Sequence, residues 1–175
     1  MKIGVVSDSH DNLPLIDQAV SKLNGFRVGA VLHAGDYVSP FTAPRFRNLK
    51  AKMFGVWGNN DGDWNQLTKL YSLNGAEMRG IFSELSLGGL TIALLHGHHE
   101  ELLRSLIRSR GYDVVVSGHT HQPAVRKKGE TIHLNSGELC GYLTHRSTFG
   151  IIDTDTRAIS IMETTSGEKQ ESISL

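Results

Sequence analysis

Residues 2–10, KIGVVSDSH, decide the fold. Ile3, Gly4, Val5 and Val6 form an unbroken apolar run, the mark of a strand covered on both faces rather than one alternating between core and water. Asp8 and His10 follow at once, so a carboxylate and an imidazole stand just past a strand's carboxyl end. That edge is where open α/β sheets bind ligands, because side chains there project into a crevice. The pattern recurs along the chain: AVLHAGD ends in Asp36, MFGVWGNND carries Asn59, TIALLHGH delivers His96, and DVVVSGHTH delivers His119 and His121. Five apolar strands thus bring seven metal-capable side chains to one rim.

Between these strands the apolar period changes to a helical one. Leu15, Ile16, Ala19, Val20 and Leu23 recur at helix spacing, with Asp11 or Asn12 as N-cap, Pro14 in the first turn and Gly25 at the C-cap position. With residues 30–33 as the next strand, the first forty residues form a βαβ unit with a right-handed crossover. Residues 39–49, with Pro40 and Pro44, read as a short helix or irregular crossover into a strand over 52–57. Residues 63–71 read as a helix capped by Asp61 or Asp63. The period then shortens: residues 81–87 and 90–95 flank Gly88-Gly89, a tight antiparallel hairpin. Leu102, Leu103, Leu106 and Ile107 predict a second covering helix over 99–110 ended by Gly111, before a fifth buried strand at 113–117. A hairpin around residues 127–130 and two last strands, 148–153 and 158–162, complete the pattern. Parallel units followed by hairpins imply an α/β fold of two packed mixed sheets with helices outside. One domain is expected over residues 1–163, with 164–175 as a polar, frayed tail holding only Ile173 and Leu175 as apolar residues.

Lys plus Arg equals Asp plus Glu at 18 each, so the chain lacks the excess positive field of a dedicated nucleic-acid binder, and nucleic acid is not indicated. A single Cys140 cannot form an internal disulfide, and no run of about 18 apolar residues or signal peptide appears. A cytoplasmic protein with no membrane contact is expected. The aromatic residues Trp57, Trp64 and Tyr71 are read as exposed, leaving a homo-oligomeric contact open.

Asp8, His10, Asp36, Asn59, His96, His119 and His121 mix imidazole with carboxylate and amide oxygen. Such a set suits Mn, Fe, Co, Ni or Zn, is too rich in nitrogen for a dedicated Mg or Ca site, and lacks the thiolates of a structural zinc site. Seven ligands exceed one tetrahedral ion, so two divalent ions sharing a ligand is the natural count. Taken singly, each residue has a plainer reading. Asp8 or Asp36 alone would be a helix N-cap, Asn59 a turn residue, and His96 or His119 a satisfied polar group. Their common edge reverses those odds. His33, inside a strand, and His133, in a hairpin, read as structural, and His99 as the start of a helix.

Asp8-Ser9-His10, Gly35-Asp36, Gly58-Asn59-Asn60-Asp61, His96-Gly97-His98 and Gly118-His119-Thr120-His121 resemble the five ordered motifs of the calcineurin-like metallophosphoesterase superfamily. The short length makes the chain similar to the small bacterial and archaeal phosphodiesterases of that group. The resemblance covers roughly residues 3–160 and implies a four-layer α-β-β-α sandwich. It also implies one metal on Asp8, His10, Asp36 and His121, a second on Asp36, Asn59, His96 and His119, and attack of a metal-bridging hydroxide on a small or activated phosphodiester. Two positions depart from the pattern. Asn60 stands where many members have a His that acts on the leaving group, and Ser39 where they have the Asp that orients it. Asn is no general acid near neutral pH, so Asn60 marks a changed mechanism and His98 becomes the candidate donor or phosphate contact. The basic turn Arg126-Lys127-Lys128 reads as solvated unless it faces a phosphate, and Arg146 and His145 stay undecided. A non-catalytic protein-binding scaffold, as in the retromer's metallophosphoesterase-like subunit, is the alternative reading.

Overall fold

The computed structural model describes residues 1–175. In chain order the elements are β1 (Lys2–Val6), α1 (Leu13–Gly25), β2 (Ala30–His33), a 3₁₀ segment (Pro40–Asn48), β3 (Lys52–Gly55), α2 (Trp64–Leu73) and β4 (Glu77–Met78). Then follow β5 (Phe82–Leu87), β6 (Leu90–Leu95), α3 (Glu100–Ser109), β7 (Val114–Ser117), β8 (Ala124–Lys128), β9 (Thr131–Asn135), β10 (Thr148–Asp153), β11 (Ala158–Glu163) and β12 (Lys169–Ser174). One sheet has the order β12-β11-β10-β1-β2-β3-β4 and the other β5-β6-β7-β9-β8.

Side-chain alternation along the strands sorts the apolar residues into layers. Ile3 and Val5 of β1, Leu32 of β2 and Phe54 of β3 face Ile92, Leu94, Val114, Val116, Ile132 and Leu134 of the second sheet. Val6, Val31 and Met53 point the other way, onto Ile16, Ala19, Val20 and Leu23 of α1 and Leu67 and Tyr71 of α2. Gly4 lies under α1, where Leu23 fills the space that a Cβ would need. On the far side α3 covers Ala93, Leu95 and Val115 with Leu103, Leu106 and Ile107, none of them fully buried. The result is the expected sandwich of two mixed sheets flanked by helices.

Strand direction positions the site. β1, β2 and β3 run parallel, as do β6, β7 and β9. The loops that leave their carboxyl ends therefore meet along one edge.

Several boundaries differ from the sequence expectation for identifiable reasons. The stretch 164–175 is not frayed: residues 169–174 form β12, which pairs antiparallel with β11. Ile173 and Leu175 pack against the core between the sheets, and the β11 ladder satisfies the backbone, so few apolar residues suffice. α1 is capped by Asn12, and Gly25 is its last residue rather than its C-cap, which is Phe26. Phe26 keeps helical angles while packing edge-on against Phe149, and the left-handed position passes to Arg27. Arg110 takes that role for α3, one residue before Gly111. Trp57 and Tyr71 are buried, and only Trp64, stacked on Trp57, reaches solvent, so the expected aromatic contact patch does not exist.

His33 is structural, as its position inside a strand implied. It is fully buried, stacks on Tyr37 at 3.8 Å, and accepts the Gly35 N–H through Nδ1 at 3.2 Å. Burial, reinforced by the charge of His96, lowers its pKa to about 3. The unfolded ring takes a proton near pH 6.5 while the folded ring refuses it, so this residue's contribution to stability is complete above that pH. It is lost as pH falls toward 3, at up to about 1.4 kcal/mol per unit. The His33 ring should show no NMR inflection between pH 8 and 5. A midpoint above 5.5 would contradict this burial argument.

Candidate metal centre

β1 ends at Val6, and the next four residues turn sharply across the edge. Asp8 N–H donates to Gly35 O at 3.0 Å, and Ser9 and His10 N–H both donate to Asp36 O, which locks this loop to the one after β2. The loop after β7 joins through His119 N–H to Asp8 Oδ2 at 3.0 Å, and Gly118 N–H reaches His96 O at 2.8 Å. Such close approach needs glycine. A Cβ on Gly58 would collide with the Asp36 side chain, and one on Gly118 with Ser7 and Asp8. Asp8, His10, Asp36, His119 and His121 all adopt positive φ, between 37° and 68°. Non-glycine residues held there store strain, and five in one cluster mark a constrained site rather than ordinary turns.

The side chains converge. Asp36 Oδ2 lies 3.3 Å from both His10 Nε2 and His96 Nε2. Asp8 Oδ1 lies 3.4 Å from His121 Nε2, 3.9 Å from His10 Nε2 and 4.0 Å from His96 Nε2. Asn59 Oδ1 is 3.1 Å from His96 Nε2, and the His119 ring sits 5.2 Å from that of His96. Asp8, Asp36 and His96 are buried. All seven residues singled out from the sequence are therefore assembled in one place.

Tautomers define what the cluster lacks. His96 Nδ1 donates to Ala34 O at 2.7 Å, so in the neutral ring Nε2 bears a lone pair. That lone pair faces oxygens of Asp36, Asn59 and Asp8, acceptor against acceptors. His121 repeats the arrangement, with Nδ1 on Glu138 Oε2 at 2.8 Å and Nε2 toward Asp8. Asp8 Oδ1 and His10 Nε2 are buried, and neither makes a well-aligned hydrogen bond, only the ion-pair contacts above. Without a cation the rings answer by holding protons. Asp36 and Asp8 lift His10 to about 9 against burial, and the same carboxylates raise His96 although burial pulls it down. Burial drives the Asp36 carboxyl up, but the His10 and His96 rings 3.3 Å away and the Asn60 amide outweigh it and leave it well below the usual carboxylate range. Divalent ions fit these donors better than protons do, because each bare oxygen and nitrogen points inward.

The two expected catalytic residues both lie at the site, in different settings. Asn60 turns its amide inward: its backbone N–H donates to Asp36 Oδ1 at 2.9 Å and its Nδ2 to Asp36 Oδ2 at 2.7 Å. His98 stands 5.5 Å from the His96 ring and 6.1 Å from His119, with Nδ1 buried and unpartnered. Burial and the neighbouring imidazoles of His99, His96 and His119 lower its pKa. Ser39 is not idle: its Oγ donates to Asp11 Oδ1 at 2.7 Å. Arg146 reaches Gln170 on β12 rather than the site, and Arg126 and Lys128 line a cavity with Arg104, Arg108 and His133 on the outer face of the second sheet.

Sequence reasoning missed two buried carboxylates that hold the ligands in place. Asp61, a motif residue and candidate helix cap in the sequence, leaves the capping to Asp63 and accepts from Gly58 N–H at 2.7 Å, Asp36 N–H at 3.0 Å and Val38 N–H at 2.8 Å, pinning Val38 at φ 80°. Glu138, in the loop after β9, is fully buried beneath His121. Burial alone would push it up, but the Cys140 thiol, His121 and Thr144 hold it at about 2. A carboxylate amid NSGELCG was the available signal.

The calcineurin-like phosphoesterase superfamily domain matches residues 1–157. The chain belongs to that superfamily. A phosphodiesterase of Methanocaldococcus jannaschii is 40% identical over 156 residues, 89% of this chain and 94% of that protein. The phosphodiesterase YfcE of Escherichia coli is 26% identical over 175 residues, 91% of both chains. Among solved structures, that of a novel archaeal phosphodiesterase superposes with TM-score 0.89 at 37% identity, covering 93% of this chain and 99% of that one. Wild-type Vps29 of Entamoeba histolytica, complexed with zinc, shares the fold at TM-score 0.73 and 22% identity, over 99% of each chain. No helix of this superfamily member is long and apolar enough to cross a membrane.

Asp61→Asn tests the brace. An amide offers one acceptor oxygen and would set an NH₂ against backbone donors, each buried loss costing about 1–3 kcal/mol. Urea denaturation should show destabilisation of about 2 kcal/mol or more; an unchanged midpoint would remove Asp61 from the architecture.

Proposed function

We propose that this chain is a metal-dependent phosphodiesterase with two divalent cation sites. One would be held by Asp8, His10, Asp36 and His121, and the other by Asp36, Asn59, His96 and His119, with Asp36 shared. The observation that carries this reading is the inward-facing Nε2 of His96, set among oxygens of Asp36, Asn59 and Asp8 while the opposite nitrogen is committed to Ala34 O. The position of Asp36 between His10 and His96 supports its shared role. The mix of nitrogen and oxygen donors favours Mn, Ni, Fe, Co or Zn. The 40% identical relative, named a phosphodiesterase, supports the substrate class. The lone, buried, unpaired Cys140 suits a cytoplasmic setting.

Two bound divalent ions would polarise the phosphoryl group, neutralise its charge and acidify water. The chain's own residues do the rest. Asp8 and Asp36, buried at the edge, supply the negative charge that draws cations there, and Asn60 clamps Asp36 through two hydrogen bonds. His98 stands at the mouth with a depressed pKa, neutral near pH 7. A neutral imidazole can donate a hydrogen bond to a phosphoryl oxygen but is a poor proton source for a departing alkoxide. With Asn60 occupied on Asp36, no side chain in the cluster is suited to protonate the leaving group.

Turnover should therefore depend steeply on leaving-group acidity. Aryl phosphodiesters should be hydrolysed at least about 10²-fold faster than phosphoserine, the shortfall matching a missing general acid. Chelation should abolish activity and Mn or Ni restore it. His98→Ala should slow an aryl diester without changing metal content. Phosphoserine turned over as fast as the aryl diester would sink the proposal, as would activity indifferent to chelation.

A further inference from the structure

Glu138 has an unusual set of partners for a residue outside the metal cluster. One oxygen accepts from His121 Nδ1 at 2.8 Å, the Cys140 thiol at 3.0 Å and Tyr142 N–H at 3.0 Å. The other takes the Thr144 N–H and hydroxyl at 2.5 and 2.7 Å, and Leu143 N–H lies between the two oxygens. The carboxylate thus fills a concavity of backbone amides formed by residues 142–144 and also reaches His121. The loop contacts alone would satisfy a structural anchor; the His121 contact is additional.

We propose that Glu138 is a positioning residue that fixes His121 as a cation ligand and ties its orientation to the loop carrying Tyr142 and Leu143. A carboxylate in this place only accepts, so the ring must carry a proton on Nδ1, and the neutral ring then turns a bare Nε2 toward Asp8 Oδ1, 3.4 Å away. The hydrogen bond also polarises the ring and makes Nε2 a stronger donor to a cation. Tyr142 and Leu143 are 56% and 68% exposed, and their loop is also bonded to the one after β1, Leu139 N–H donating to Ser7 O at 2.9 Å and Cys140 N–H to Asp8 O at 3.0 Å. A shift of this loop would therefore move His121, and the reverse. The inference rests on the reading of His121 as a ligand.

The test uses the full chain, stripped of metal and titrated with Mn. Glu138→Gln keeps the volume but weakens the acceptor, and should raise the Mn dissociation constant about 10- to 100-fold. In the metal-free wild type, ¹⁵N NMR of the ring, assigned against His121→Ala, should show Nδ1 protonated. Glu138→Ala should move the proton, wholly or partly, to Nε2. His121→Ala should itself weaken Mn binding. Weakened binding in His121→Ala with unaltered affinity in Glu138→Gln would overturn the role of Glu138 and leave the ligand assignment standing. Full affinity in His121→Ala would overturn the ligand assignment and this inference with it. Should either Glu138 variant fail to fold, the wild-type spectrum still decides, since a His121 ring protonated on Nε2 but not on Nδ1 contradicts the proposal.

Discussion

Asp8 and Asp36 are buried together at the edge of the sandwich, facing three imidazole nitrogens across 3.3–4.0 Å. Burying one charged carboxylate in a dry site costs several kcal/mol, and two neighbours add their repulsion. Only positive charge between them makes the arrangement tolerable. Much else in the structure follows from this requirement. The loops after β1, β2 and β7 hydrogen-bond to one another rather than to water, positive-φ residues gather where those loops cross, and Gly58 and Gly118 sit where any side chain would collide with an aspartate. The strain is held by groups that face away from the cluster, notably Asp61 on the backbone around Asp36 and Ala34 O on His96.

Strand direction explains why a chain of this length can assemble such a site. β1, β2 and β3 end on the same rim as β6 and β7, and the core between the sheets holds both ends in register. Each ligand loop leaves the end of a rigid strand, so side chains distant in sequence are fixed relative to one another by the ladders rather than by the loops. The outer helices bury the remaining faces without entering the edge.

The parts legible in sequence were those with a strong local signal. Apolar runs ending in polar motifs placed the buried strands and all seven cluster residues, and Gly88-Gly89 marked its hairpin, because burial on both faces and tight turns leave composition few choices. Less legible was anything decided by distant partners. β12 was read as a tail because Ile173 and Leu175 are sparse, yet an open β11 edge recruits it. Trp57 and Tyr71 look like surface residues in the sequence, but Trp57 packs against Tyr37 and Trp64, and Tyr71 turns inward onto Tyr37, Phe46 and Thr42. Asp61 and Glu138 act through backbone amides brought together by the fold, a contact no spacing rule announces. The chemistry of an amide sets Asn60 apart from acid catalysis in the sequence, whereas its grip on Asp36 needed coordinates.

The central claim is that one carboxylate serves two cations. Metal content per chain, measured by mass spectrometry after loading with Mn and desalting, tests it directly in the wild type, Asn59→Ala and Asp36→Ala. The account predicts two ions, one ion and none, in that order. A folded Asp36→Ala chain that still holds two ions, or a wild type that holds fewer than two, would contradict it.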